Sequence, residues 1–404
     1  MTHDKLQVME WHNGDKSPSA FSAQEMQRRQ GDVLRWMAAH DVYAALFTSH
    51  HGIAYYSGWL YSGFGRNYGM VITSTAATTI SSAVDGGQPW RQGACGNLSY
   101  TDRRRDNYFC AVRQLTPGAR RLGIELDQVS VKFLRQLEAA LPGVEFVDIG
   151  QASMWMRTIK SAEEQQVLRE GARICALGAG AAVAAIAPGG AEFEVAMAAT
   201  TAMQRAFAAT FPKSEILDGW TRFQSGRNTD GAHNPVTDKR IQPGEVLSLI
   251  CTPMLFGYST TLGRTLFCDQ VDDASLDIWQ KNVTVHRRGL ELIRPGALCA
   301  DIARDLDDLD RQCGLLAHRS NGYGHSVGLQ AHYFGCDFEV ALREDSSAEL
   351  RPGMVIALGP MLMVPEGMPG AGGYRECDVV IVTETGAETI TGFPLGSDHN
   401  IVHG

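Results

Sequence analysis

The order in which two periodicities occur constrains this chain most. Over the first ~150 residues, helical and strand patterns alternate, as they do in a layered α/β domain. Ser22-Ala23-Gln24-Glu25 has capping-box spacing and opens an amphipathic helix to about His40. Strand-like apolar runs follow at 42–48, 69–73, 78–84 and 122–126, then a helical pattern at 129–141 and a strand at 144–149. A second capping box, Ser161-Ala162-Glu163-Glu164, starts a long helix that stops near Pro188-Gly189-Gly190. From there the order changes. A helix at 192–209 precedes strands at 245–255 and 260–268. Helices at 274–293 and 299–312 precede strands at 354–363 and 377–383. Helices, strands, helices, strands is the order of an α+β domain built from two similar halves, although no repeat shows in the sequence. We expect an α/β domain over 1–158 and an α+β domain over 159–404.

Composition excludes several functions. The 404 residues are 44% hydrophobic, enough for a real core and too many for a disordered chain. A net charge of −9 argues against nucleic acid as a partner. The arginines between Asp102 and Asp106 are flanked by acids and read as a solvated turn. The Ala/Gly-rich stretch 174–188 falls short of the ~20 apolar residues that a bilayer needs and reads as a tightly packed helix, so no membrane partner is expected. The N-terminus lacks a basic region followed by an apolar one, so no signal peptide is read there. Nine cysteines, an odd number without a CxxC pair, point to a reducing cytoplasm.

Three segments could carry chemistry. His233 lies in a polar, glycine-bearing loop over 223–235. Histidine ordinarily titrates near pH 7, so it can both take and give a proton. His325 lies among Gly322, Gly324 and Gly328, where backbone can approach a ligand closely. Gly370-Ala371-Gly372-Gly373 leads through Tyr374, Arg375, Glu376 and Cys377 into a strand. Each segment also has a plain structural reading: a surface turn, a tight connection, a set of turn glycines. His325, His332, Cys336 and Cys377 lack any strong zinc-ligand spacing, and no G-x-S-x-G occurs.

Taken together, several strings resemble the creatinase (creatine amidinohydrolase) family over almost the whole chain. They include Phe47-Thr48-Ser49, Phe64-Gly65-Arg66, the string 85–90, Ile159-Lys160-Ser161-Ala162-Glu163-Glu164, Phe223-Gln224-Ser225-Gly226, and residues 228–237, 322–326 and 365–376. The resemblance implies an α/β N-terminal domain joined to a pita-bread α+β catalytic domain. It also implies a homodimer with its active site near the subunit interface, and a reaction that needs no metal or other cofactor. It puts His233 at the proton-shuttling histidine and His325 at a second active-site histidine. Phe64 and Arg66 fall on substrate contacts, the arginine on a carboxylate, and Glu376 lies beside them in the expected pocket.

The chain departs from that family around one pocket. Gly263 and Gly359 stand where the family keeps glutamates. Cys336 replaces a carboxylate-binding arginine, Ser259 a tyrosine and Cys377 a histidine. A guanidinium in a desolvated pocket calls for carboxylates, and leaving it unpaired would cost several kcal/mol. Glycines supply no such acceptors and should enlarge the pocket. The resemblance to related metal-dependent aminopeptidases puts Ile250, Thr261, His325, Gly359 and Cys377 at their five ligand positions, where hard divalent ions want carboxylates. The expectation is therefore a metal-independent enzyme that hydrolyses a C–N bond in a small polar nitrogen compound. His233 would be its general acid/base, and creatine would be a poor substrate. A lyase or decarboxylation-like reaction, or a non-catalytic binding protein on the same scaffold, are the alternatives.

Overall fold

A computed structural model describes residues 7–104, 106–212, 214, 218–329 and 340–403. Cys336, His332 and Arg105 lie outside the described residues. The chain divides into two units, 1–157 and 158–404.

The first unit is an α/β layer around a seven-stranded mixed sheet. Its strand order is Val8–Met9, Gly96–Tyr100, Ala77–Ser82, Gly69–Thr73, Ala44–Phe47, Arg121–Ile124 and Glu145–Asp148. Ala44–Phe47 is buried at every residue, because helices cover both faces of this central strand. The helix Ala23–Ala39 begins where Ser22 Oγ accepts the Glu25 N–H at 3.1 Å.

The second unit repeats a simple plan: a helix pair, then strands, twice over. Helix Ala162–Ala185 opens with both halves of its capping box in place, Glu164 N–H to Ser161 Oγ at 3.3 Å and Ser161 N–H to Glu164 Oε2 at 2.8 Å. Its small residues serve close packing. A Cβ on Gly171 would lie 2.3 Å from Thr260 Oγ1, and one on Gly178 would lie 2.6 Å from Met203 Cγ on helix Glu192–Thr210. Strands Gly219–Ser225, Val246–Leu255 and Leu262–Cys268 pair antiparallel in that order. Helices Asp273–Leu292 and Cys299–Gln312 follow, and then a sheet of Gly324–Ser326, Val355–Leu358, Asp378–Val382 and Ala387–Thr389. The two sheets join through one antiparallel bridge, Gly263 with Cys377, whose N–H and C=O groups exchange two 3.0 Å bonds. Val285, Ile302, Leu306, Ile356, Leu358 and Val380 form part of the core under the second helix pair.

Three expectations from the sequence need correcting. The loop over 223–235 begins as strand Gly219–Ser225, and the glycine-rich run near 370 contains strand Gly372–Arg375. The run at 354–363 is two strands, Val355–Leu358 and Met361–Val364, broken at Gly359-Pro360 because proline cannot donate to a ladder.

Candidate active site

Strand register assembles the site. Thr221 hydrogen-bonds Thr200 of helix Glu192–Thr210, so that face of strand Gly219–Ser225 looks at the helices. Trp220, Arg222 and Gln224 therefore occupy the opposite, inner face. Residues directly paired across antiparallel strands share a face. Arg222 pairs with Ile250, Ile250 with Gly263, and Gly263 with Cys377, which makes one row across the inner face. Ile250, Gly359 and Cys377 keep partial solvent contact although the strands around them are buried, so the row is not sealed from solvent.

Cys377 sits between the two glycines. A Cβ on Gly263 would lie 2.9 Å from Cys377 Cβ, and one on Gly359 would lie 3.3 Å from Cys377 Sγ. The expected enlargement of the pocket at Gly263 is thus offset, because Cys377 fills the space a side chain there would take. Desolvation by the surrounding protein, and then the Asp378 charge, pushes the Cys377 thiol up to about 12. A thiol that stays protonated near neutrality is a poor nucleophile.

Glu376, expected among the substrate contacts, faces the other way. It is fully buried and accepts hydrogen bonds from Trp279 Nε1 at 2.8 Å and Thr265 N–H at 3.2 Å. Strand alternation sends it to the helix Asp273–Leu292 side, away from Cys377. Desolvation raises its carboxyl to about 7, opposed by the Arg264 charge 4.0 Å away. Beside it, Arg264 donates to Asp378 Oδ1 at 2.9 Å and to the carbonyls of Gly263, Cys377 and Phe393. Desolvation works to raise the Asp378 carboxyl, but His286 and Arg264 overcome it and hold the group at about 2.

His233 stands exposed on a turn after the 3-10 segment Gly226–Asp230. Buried groups hold that turn from several sides. Gln224 Nε2 donates to the carbonyls of Gly231 and Asn234 at 3.0 and 2.8 Å. Glu192, fully buried, accepts from Ser225 N–H and Oγ, Asn228 Nδ2, and Thr237 N–H and Oγ1. Arg375 Nη2 donates to the Thr229 carbonyl at 2.6 Å, and its Nη1 reaches Ser248 Oγ at 2.8 Å. Burial lowers the Arg375 guanidinium to about 10, opposed by Asp230. Sequence reasoning missed Glu192 and the tethering role of Arg375. An acid in the first helical turn is ordinary, and nothing local marks Glu192 as an anchor for residues 225–237.

The other expected site residues fall as follows. His325 lies on strand Gly324–Ser326, half-buried, with Nδ1 3.0 Å from the Ser326 carbonyl. Ser259 is buried, and its Oγ has no hydrogen-bond partner among the described residues. Phe64 and Arg66 belong to the first unit. Phe64 is 72% exposed, and Arg66 is ion-paired with Asp102 at 2.7 Å. The second unit thus brings Gly263, Gly359 and Cys377 together, with His325 on the neighbouring sheet.

Residues 29–159 match the Creatinase/Prolidase N-terminal domain, and residues 166–384 match Metallopeptidase family M24. A creatinase of Bacillus sp. (strain B-0618) is 48% identical over 395 residues, covering 97% of this chain and 96% of its own. An Xaa-Pro dipeptidase of Pyrococcus horikoshii is 23% identical over 370 residues, covering 91% and 97%. Among solved structures, an X-Pro aminopeptidase from Thermotoga maritima superposes with a TM-score of 0.80 at 17% identity, over 93% of this chain and 99% of that one. The prolidase from Pyrococcus horikoshii gives 0.77 at 21%, over 91% and 99%. These distant likenesses establish the two-domain pita-bread fold. The M24 name implies a metal, and the residues at the five resembled ligand positions do not fit one. Ile250, Thr261 and Gly359 offer no carboxylate, Cys377 is a soft thiol where a hard divalent ion wants oxygen, and no cluster of three His, Cys, Asp or Glu among the described residues could hold an ion. Family membership makes the protein an enzyme, a hydrolase of C–N bonds. The chain belongs to the creatinase family.

Proposed function

We propose that this enzyme hydrolyses a C–N bond in a small polar nitrogen compound that is less cationic than creatine, without a resident metal. The observation that carries this reading is the wall Gly263–Cys377–Gly359. It presents glycine and a protonated thiol where a guanidinium would need carboxylates. Meanwhile the apparatus around His233 is fully built, with two buried charged residues tethering its turn. His233 takes a proton from water as the water oxygen attacks the scissile carbon. It then returns that proton to the departing nitrogen, so one imidazole serves both half-steps.

Phe64, so large an aromatic left so exposed, supports a site completed by a second copy of the chain. The described cysteines are all free thiols, which fits a reducing cytoplasm.

The test offers purified, untagged enzyme creatine alongside ureido and N-methyl amino acids, and measures urea, ammonia and amine release. Turnover of a less cationic compound, with creatine poor, is expected; efficient urea release from creatine would sink the reading. His233→Ala should lower turnover about 10²- to 10⁴-fold while leaving the fold and substrate binding in place. Full activity in that variant removes His233 from the mechanism. Light scattering checks the dimer, and elemental analysis checks for a stoichiometric metal.

A further inference from the structure

We propose that Arg222 is the anion-binding residue of this pocket, and that the substrate carries a carboxylate which Arg222 holds over the inner face. This deepens the proposed function and rests on its view that the inner face is the reaction pocket. Register places Arg222 in the same row as Ile250, Gly263 and Cys377. With strands about 4.8 Å apart, its backbone lies roughly 10 Å from Gly263, two strands away. The side chain is half-buried, and its guanidinium carbon stacks 4.9 Å from the Trp220 ring centroid. Among the described residues it makes no hydrogen bond and no ion pair. Several arginines of this unit are ion-paired instead. Arg264 pairs with Asp378, Arg319 with Asp307 and Glu344, and Arg169 with Glu388.

Stacking on an aromatic ring orients a guanidinium while leaving its N–H edge free for a planar, two-oxygen partner. The next row of the same face holds Arg375, only 3% exposed, whose hydrogen-bond partners are all uncharged. Among the described residues, the Asp230 charge acts on it. Two cations without an ion-pair partner among the described residues on one inner face, with glycines at the two resembled carboxylate positions, make that face favour an anion. Arg66, expected from the resemblance to clamp the substrate carboxylate, already has Asp102. The ligand that fits has a carboxylate toward Arg222 and an uncharged C–N group, such as a ureido or amide group, toward Cys377 and Gly359.

Calorimetric titration of the full chain tests this with three probes: N-carbamoylglycine, its uncharged analogue N-carbamoylglycinamide, and creatine. N-carbamoylglycine should bind at least about 10-fold more tightly than its amide. Arg222→Gln should weaken N-carbamoylglycine about 10- to 100-fold and erase the preference, as loss of a charge-assisted pair does. Arg227→Gln, at an exposed position on the adjoining segment, should leave binding unchanged. Should Arg222→Gln prove unfolded by its melting curve, Arg222→Lys decides instead, since it keeps the charge and loses the fork; it should lose part of the preference. Equal binding of acid and amide, no binding of the acid to the unaltered chain, or full affinity in the folded Arg222 variant overturns the inference. His233→Ala should bind the acid as the unaltered chain does. Arg222-dependent binding without turnover of any compound would keep this inference while the hydrolase reading fell.

Discussion

The two faces of strand Leu262–Cys268 and its neighbour at 376–378 differ one residue apart. On the outer face, Arg264, Asp378, His286 and Glu376 lie together under helix Asp273–Leu292. On the inner face, Gly263 and Cys377 present no charge, and the cations further along the face, Arg222 and Arg375, have no carboxylate bonded to them among the described residues. Period-2 alternation keeps these two chemistries apart within the same few residues. The outer charges are packed against one another within the fold. Of the inner cations, Arg375 is bonded to uncharged groups, and Arg222 stacks on Trp220. A chain built this way can exchange pocket residues without disturbing the network that joins its sheets.

Asp378→Ala gives the largest effect that would test this division. It removes the carboxylate from Arg264, which is 2% exposed and would keep only carbonyls and the more distant Glu376. Breaking a buried pair from one side costs about 3–5 kcal/mol. The loss should appear as a lower denaturation midpoint for the second unit. A cost under about 1 kcal/mol would mean that the outer network does not stabilise the fold.

Glu376 sharpens the contrast within the outer face through pH. Its folded carboxyl titrates near 7, above the ordinary value of 4.5, so the folded state holds a proton that the unfolded state releases first. Below about pH 4.5 both states are protonated and Glu376 costs nothing. As pH rises from 4.5 to 7 stability falls, by about 3 kcal/mol in all, and then levels off. Asp378 has the opposite sign: its folded carboxyl, near 2, contributes stability above its ordinary 3.8 that is lost as pH falls toward 2. Glu376→Gln should flatten the slope between pH 4.5 and 7 in urea midpoints and leave the acid limb unchanged. A slope that survives the substitution belongs to another group.

How far the sequence reveals this arrangement depends on whether local pattern or distant pairing decides each part. The Ser22 and Ser161 caps and the periodic apolar runs are local, and they place helices Ala23–Ala39 and Ala162–Ala185 closely. Strand Gly219–Ser225 escapes pattern reading because Arg222 and Gln224 interrupt its apolar run: Arg222 lies on the inner face and Gln224 tethers the His233 turn. Strand Gly372–Arg375 escapes because Gly373 must be glycine; a Cβ there would sit 1.9 Å from the Thr229 carbonyl oxygen. Glu192 reads as an ordinary helix start, since the three residues it bonds, Ser225, Asn228 and Thr237, lie 33 to 45 residues away. Resemblance singles out Gly263, Gly359 and Cys377, but only the register brings them into contact. Glu376 is the opposite case, close in sequence to the pocket and turned away from it by alternation.

The inner face has its own test, with a smaller effect. Gly263→Ala adds a Cβ 2.9 Å from Cys377 Cβ, an atom fixed to the backbone that cannot swing aside. The strain should cost about 1–3 kcal/mol. Cys377→Gly alone should cost less, since it empties a position that already meets solvent. If the cysteine occupies the space that Gly263 leaves, the two changes are coupled. The double variant should then recover about 0.5–3 kcal/mol relative to the sum of the singles. Urea midpoints of the four proteins measure this directly. Additive costs would mean that the two positions relax independently. The inner wall would then be an open surface with room for a side chain at Gly263, and the case for a neutral, cysteine-filled wall would fail there.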